Sequence, residues 1–371
     1  MPGRLPHDVM SWIEELQRLG YSAEEAVDRV RRRIRERTGT YGALDVVPYP
    51  GDGGPGGIRL SGRVLEEGGA GPATEDQGPL DNLLAMARRF ESDEVPDVEV
   101  LVRVGEREVP TVTDDEGYFH VDLPPGGLPE GVRDGWLPVH AEVAPDPGRG
   151  IHRSVGRGRV RVPGAEATFG VVSDVDDTVM RTGATSLVAV ARSTLLGNAR
   201  TREPFLGVAT FYRALERGPD GRSHNPFFYV SSSPWNLYDL IEEFLGYRGI
   251  PRGAFFLRDM GLGPGGMVAT GGHRDHKLSA IEGILRRHPN LEFVLVGDSG
   301  QRDPEVYREV VRAHPGRIRV VYIRDLTRAS RDREVQDIAA ELRAADVEMK
   351  LVPDTRAAAA HAAATGLIPR S

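Results

Sequence analysis

The spacing of hydrophobic positions changes character twice along the chain. Residues 8–38 are amphipathic at helical spacing, with Ser22 and Glu25 forming a capping-box pair ahead of AVDRVRRRIRERTG, which stops on Gly39. This predicts a helix, basic in its second half, whose charged side is an ordinary solvated face. After the loop GDGGPGG at 51–57 the period becomes two: Ile58, Leu60 and Val64 alternate with polar residues. So do Val98, Val100, Val102 and Val104, then Phe119, Val121 and Leu123, then Val139, Ala141 and Val143, then Val160 and Val162. Short alternating strands divided by Gly, Pro and Asp turns predict a β-sandwich over 41–165, interrupted by one helix-like insert from Leu80 to Phe90.

From about residue 168 the apolar runs become nearly continuous. Phe169–Ser173, Pro226–Val230, Ala254–Leu257, Phe293–Val296 and Ile318–Ile323 read as strands buried on both faces, with helices expected at 234–246, 277–288 and 304–314. That alternation predicts an α/β domain over 166–350, a parallel sheet wound with helices on both faces. The Ala-rich end, 351–371, reads as helix or tail without chemical content.

The 371 residues suit two domains, and 39% hydrophobic with 27% charged residues is ordinary for a globular protein. A net charge of −8 disfavours non-specific binding to a nucleic-acid backbone. The absence of cysteine excludes disulfides and thiolate metal sites. The first residues, MPGRLPHDVMSW, lack a secretory apolar core, and no run approaches the ~20 apolar residues of a membrane span. The expectation is a cytoplasmic protein, at most peripheral to a membrane, with no transmembrane segment and no nucleic-acid partner.

Four motifs carry chemistry. Asp174-Val175-Asp176-Asp177-Thr178 follows the strand FGVVS. Carboxylates crowded at a strand tip repel one another unless a cation neutralises them. A solvated acidic turn is the ordinary alternative; a calcium loop of the EF-hand type is not, because Val179 stands where that loop needs Gly. Ser231 follows the strand PFFYV, and Pro234 close behind suggests a helix N-terminus whose amides, with the hydroxyl, bind phosphate. Simple N-capping by Ser233 is the plainer reading there. Lys277 opens the helix LSAIEGILRRH, and its neighbours His273 and His276 read as structural or peripheral. Gly297-Asp298-Ser299-Gly300-Gln301-Arg302-Asp303 follows the strand EFVLV, a second acidic strand tip. One such tip means little; two, with a hydroxyl and a lysine between them, form a constellation.

In this order of motifs the sequence resembles the haloacid dehalogenase (HAD) superfamily of aspartate-nucleophile phosphatases. The closer wording, SDVDDTV, YVSSSPWNLYD, FLRDMG, HKLSAIEGIL and GDSGQRDPEVY, is similar to the actin-patch-associated phosphatidate phosphatase family, relatives of the lipin catalytic domain. The β-rich half contains TDDEGYF from Thr113, which resembles hairpins of transthyretin-like modules. The family resemblance implies a HAD-like fold, Mg²⁺ and a phosphomonoester substrate, phosphatidate in the fungal members. It implies Asp174 as nucleophile and Asp176 as general acid and base. Asp174, Asp176, Asp298 and Asp303 would form the metal set. Ser231 and Lys277 would bind the phosphoryl group, with Thr178, Ser232 and Asn236 as further substrate contacts and Asp177 outside the chemistry. Apolar residues between the first two motifs (Leu187, Val188, Val190, Leu195, Leu196, Phe205, Phe211) would line a lipid entrance or simply pack over the sheet. A soluble phosphomonoester as substrate, or a ligand-binding HAD domain without turnover, are the competing expectations.

Overall fold

The computed structural model describes residues 41–66, 94–128, 130–175, 207–258, 273–326 and 329–370. The helices expected over 8–38 and Leu80–Phe90 lie outside the described residues, as do Asp176, Asp177, Thr178 and the apolar positions 187–205.

The first half builds one hydrogen-bonded sheet of eight strands. They are β1 (Leu44–Pro48), β2 (Gly51–Gly54), β3 (Gly57–Glu66), β4 (Glu99–Val104), β5 (Arg107–Val112), β6 (Tyr118–Leu123), β7 (Trp136–Val143) and β8 (Ser154–Arg161). The order is β1-β3-β2-β8-β7-β4-β5, with β6 on β3, and only β2 with β8 runs parallel. The alternating residues do what their period requires: Leu60, Val64, Val100, Val102, Val121, Val139, Ala141 and Val160 share one core. The expected sandwich thus appears as strands that all connect through a single ladder. The GDGGPGG stretch is not a plain loop either, since it supplies β2 and its tight turn into β3.

The second half is the α/β domain. The strands β9 (Gly170–Ser173), β10 (Phe227–Pro234), β11 (Ala254–Arg258), β12 (Phe293–Asp298), β13 (Ile318–Arg324) and β14 (Glu348–Val352) form a wholly parallel sheet ordered β11-β10-β9-β12-β13-β14. The connecting helices are α1 (Val208–Arg217), α2 (Tyr238–Arg248), α3 (His273–Arg287), α4 (Asp303–Ala313), α5 (Ala329–Arg343) and α6 (Thr355–Ala364). Alternate residues of one strand serve opposite layers. Val171 packs with Phe211, Leu215 and Ile241, whereas Val172 packs with Ile284, Val306 and Val310. Two buried faces explain the unbroken apolar runs.

Three expectations shift. The helix expected from 234 begins as α2 at Tyr238, because Ser231–Pro234 stay extended in β10 and Trp235–Leu237 form a single 3-10 turn. Pro234, at ψ 154°, is therefore not in the first turn of an α-helix. The helix of Lys277 starts earlier, at His273. The Ala-rich end is an integral layer. Asp354 caps α6 by accepting from Ala357 N at 2.9 Å, and Ala358, Ala362, Leu367 and Ile368 are buried with α1 residues. Alanine lets that helix approach closely, so a composition that reads as inert is here a packing surface.

The two halves dock through specific contacts. Tyr49 stacks on Trp235 with ring centroids 4.4 Å apart. Asp52 of β2 is fully buried and accepts from Arg287 Nε and meets His288 Nε2, both at 2.5 Å. Burial alone would raise the pKa of Asp52, but His288 and Arg287 hold it below its ordinary value. Gly56 N caps Arg287 O at 2.9 Å. An added Cβ on Gly56 would lie 2.1 Å from Arg286 O, so only glycine permits this approach. Removing Asp52 strands a guanidinium and an imidazole in the interface. Asp52→Ala is expected to lower the unfolding free energy by about 3–5 kcal/mol, read as a lower urea midpoint at constant m-value.

Candidate active site

Register assembles the site. Ser173 pairs with Tyr229 on one side and with Val296 on the other, and Asp174 N donates to Val296 O at 2.9 Å. Asp174, Ser231 and Asp298 therefore emerge at the carboxyl ends of three adjacent strands. The chain runs outward from β9 to β10 and β11, then returns to β12 on the other side of β9. Asp174 and Asp298 thus flank the switch point of the sheet, where open α/β sheets leave a crevice.

Lys277 is the hub. It projects from the first turns of α3, is 4% exposed, and its Nζ donates to Asp174 Oδ1 at 2.7 Å, Asp303 Oδ1 at 2.6 Å and Gln301 Oε1 at 3.1 Å. Burial by itself would lower its pKa, yet the charges of Asp174 and Asp303 override this and hold the ammonium well above its ordinary range.

The second acidic tip is ordered by its own backbone. Asp298 Oδ1 accepts from Gly300 N at 2.6 Å and Gln301 N at 2.9 Å, while Asp303 Oδ2 accepts from Asp298 N at 3.1 Å. A Cβ on Gly297 would lie 2.5 Å from Asp303 Oδ2, which explains the glycine before Asp298. Burial, and then the charge of Asp303, push the Asp298 carboxyl up to about 7. Asp174, Asp298 and Asp303 each offer an oxygen within 4.8 Å of the others, and all three are buried. Beneath the site, Tyr212 donates to Ser173 Oγ at 2.8 Å, and Ser173 Oγ donates to Asp174 O at 2.7 Å. This buried relay fixes the backbone that carries Asp174, and periodicity alone gave no sign of Tyr212.

Ser231 is fully buried and its Oγ accepts from Ser233 N at 2.9 Å. No α-helix N-terminus stands behind it, so the phosphate cradle expected from Pro234 reduces to the hydroxyls of this extended tip. Ser232 Oγ is buried without a hydrogen-bond partner among the described residues. The side chains of Asn236 and His273 lie outside the described residues. His276 bonds the backbone of Phe256 and Ser231, and burial lowers its pKa; it braces the serine tip.

Residues 169–325 match the family described as Phosphatidate phosphatase APP1, catalytic domain. Phosphatidate phosphatase APP1 of Saccharomyces cerevisiae is 31% identical over 157 residues, 42% of this chain and 26% of that protein. An uncharacterized protein of Schizosaccharomyces pombe is 27% identical over 158 residues, 42% of this chain and 25% of that protein. The chain spans about a quarter of the length of these curated relatives. Among solved structures, a carbohydrate acetylesterase from Xanthomonas citri aligns over 84% of this chain and 68% of its own, at 11% identity and a TM-score of 0.28, a likeness too low to carry an argument. Residues 169–325, the segment that holds Asp174, Ser231, Lys277, Asp298 and Asp303, are thus similar to the APP1-like phosphatidate phosphatase family.

Proposed function

We propose that the chain is a HAD-type, Mg²⁺-dependent phosphomonoester hydrolase acting on a lipid phosphate of the phosphatidate kind through an aspartyl-phosphate on Asp174. The observation that supports this best is Lys277 bonded at once to the carboxylates of Asp174 and Asp303, with Asp298 beside them at the switch point of the sheet.

A divalent cation fits the residues present. Asp298 Oδ2 is buried with no hydrogen-bond partner among the described residues, and a carboxylate set of hard oxygen donors suits Mg²⁺. Asp174 and Asp298 would hold the ion, as would the Asp176 backbone carbonyl by the family resemblance. Both oxygens of Asp303 are already committed, to Lys277 Nζ and to Asp298 N, so its part is to position those two groups. When bound, the cation withdraws charge from the phosphoryl oxygens and offsets their repulsion of a carboxylate nucleophile.

The chain's own groups do the rest. Asp174 attacks phosphorus along the line of the leaving oxygen and forms an acyl phosphate. Lys277, its charged form favoured by Asp174 and Asp303, takes a phosphoryl oxygen and neutralises charge as it grows. Ser231 offers its hydroxyl to a second oxygen. Asp176, placed two residues after the nucleophile by the motif, gives its proton to the departing alkoxide and later draws a proton from the water that cleaves the acyl phosphate. Asp303 keeps Lys277 aimed at Asp174 throughout.

Asp174→Asn removes the nucleophile. It is expected to cut kcat by several orders of magnitude on a panel containing phosphatidate in vesicles and soluble sugar and nucleotide phosphates; near wild-type turnover refutes the mechanism. Preference for the soluble esters, without vesicle binding in flotation, would replace the lipid substrate by a soluble one. The site also has a pH signature. The folded-state pKa of Asp298, about 7, lies above its ordinary value of 3.8, so the folded chain retains a proton that the unfolded chain releases. Its contribution to stability is present at low pH and lost as pH rises from about 4 through about 7. In EDTA, wild type is expected to lose stability relative to Asp298→Asn between pH 5 and pH 8, and Mg²⁺ is expected to restore it more at pH 8 than at pH 5 in thermal melts.

A further inference from the structure

Contacts between the two halves include the Tyr49–Trp235 stack, the Phe255 N to Pro50 O bond and the Asp52–Arg287–His288 cluster. Beside these contacts they stand apart. A cleft of about 530 Å³ opens there, bounded by the start of β2, the strand β3, the edge strand β11 and one face of α3. Contacts fix both ends, so the opening belongs to the folded state, and its size is that of a small-molecule site.

Its chemistry is mixed in a particular way. Trp235 and Phe256 give apolar surface, while Arg59, Arg258 and Arg287 bring cationic heads. Asp275 is the one acidic residue among the described lining residues. In a chain of net charge −8, such a local excess of cations marks a place for an anion. Arg59 is weakly engaged elsewhere, with Asp122 at 3.9 Å and both side chains largely exposed. Arg287 is the decisive residue. It is 8% exposed, its Nε is held by Asp52, and its guanidinium lies 5.4 Å from the centre of the Phe256 ring. Its Nη2 is buried without a hydrogen-bond partner among the described residues. A buried donor left unmatched costs free energy that a ligand oxygen would recover.

We propose that this cleft binds an anionic amphiphile: a carboxylate or phosphate head against Arg287 and Arg59, and an apolar body over Phe256 and Trp235. The site uses none of Asp174, Ser231, Lys277 or Asp298 and stands whether or not the chain hydrolyses phosphomonoesters.

Isothermal titration of the full chain tests it, with decanoate, the non-hydrolysable decylphosphonate, decanol and inorganic phosphate as separate probes. One-site binding of the two amphiphilic anions is expected, each about tenfold or more tighter than decanol or phosphate. Whichever head group binds tighter identifies the source as a carboxylate or a phosphate. Arg59→Ala is expected to weaken binding about tenfold, the scale of one charge-assisted hydrogen bond. Ser279→Trp, on the exposed side of α3 that faces the cleft, is expected to fill the space and remove binding. Should the tryptophan variant fail to fold, Arg59→Ala decides. The proposal is overturned by absent saturation with both anions, by undiminished affinity in either variant, or by displacement with orthovanadate, which would locate the ligand at the catalytic carboxylates.

Discussion

A buried ammonium held between two carboxylates is the contact on which the α/β half depends. Three negative groups cannot share the mouth of one sheet without a countercharge, and Lys277 supplies it while itself almost wholly removed from water. The salt links also orient the groups. Asp303 holds Lys277 through one carboxylate oxygen and the amide of Asp298 through the other, so Lys277, Asp174 and the second acidic tip form one linked network. Any incoming anion must compete with these two carboxylates for that ammonium.

This arrangement is carried by long elements. α3 bears Lys277 near its start, and its far end is held by β2 through Asp52 and through the amide of Gly56. The β-rich half thus anchors the helix that aims Lys277. Contacts across the junction are aromatic at one end and ionic at the other, which fixes the angle between the halves and not merely their proximity.

Much of this was legible in the sequence, for identifiable reasons. Strands β9, β10, β12 and β13 announced themselves because burial on both faces leaves no room for polar residues, and the acidic tips stood out because they followed such strands directly. The residues from 231 to 237 misled. Pro234 suits both a helix start and an extended strand end, and only tertiary context keeps it extended, with Trp235 pinned beneath Tyr49. The alanines of α6 were illegible because small side chains carry no period strong enough to separate a buried helix from a tail. Asp52 was hidden for another reason. An aspartate among glycines reads as a turn, and its partners lie more than two hundred positions away. The Tyr212 relay under Asp174 was equally silent, since a tyrosine on an apolar helix face looks like any other core residue.

One backbone contact has a wider consequence. The outer margin of β11 is met by the first half of the chain, where Phe255 N donates to Pro50 O at 3.2 Å. Without that cover, an Ala-Phe-Phe-Leu-Arg strand would present unsatisfied amides to any extended segment nearby, the usual starting point for chains to stack into aggregates. The β-rich half therefore also acts as a guard, keeping the parallel sheet of each molecule from being continued by its neighbour.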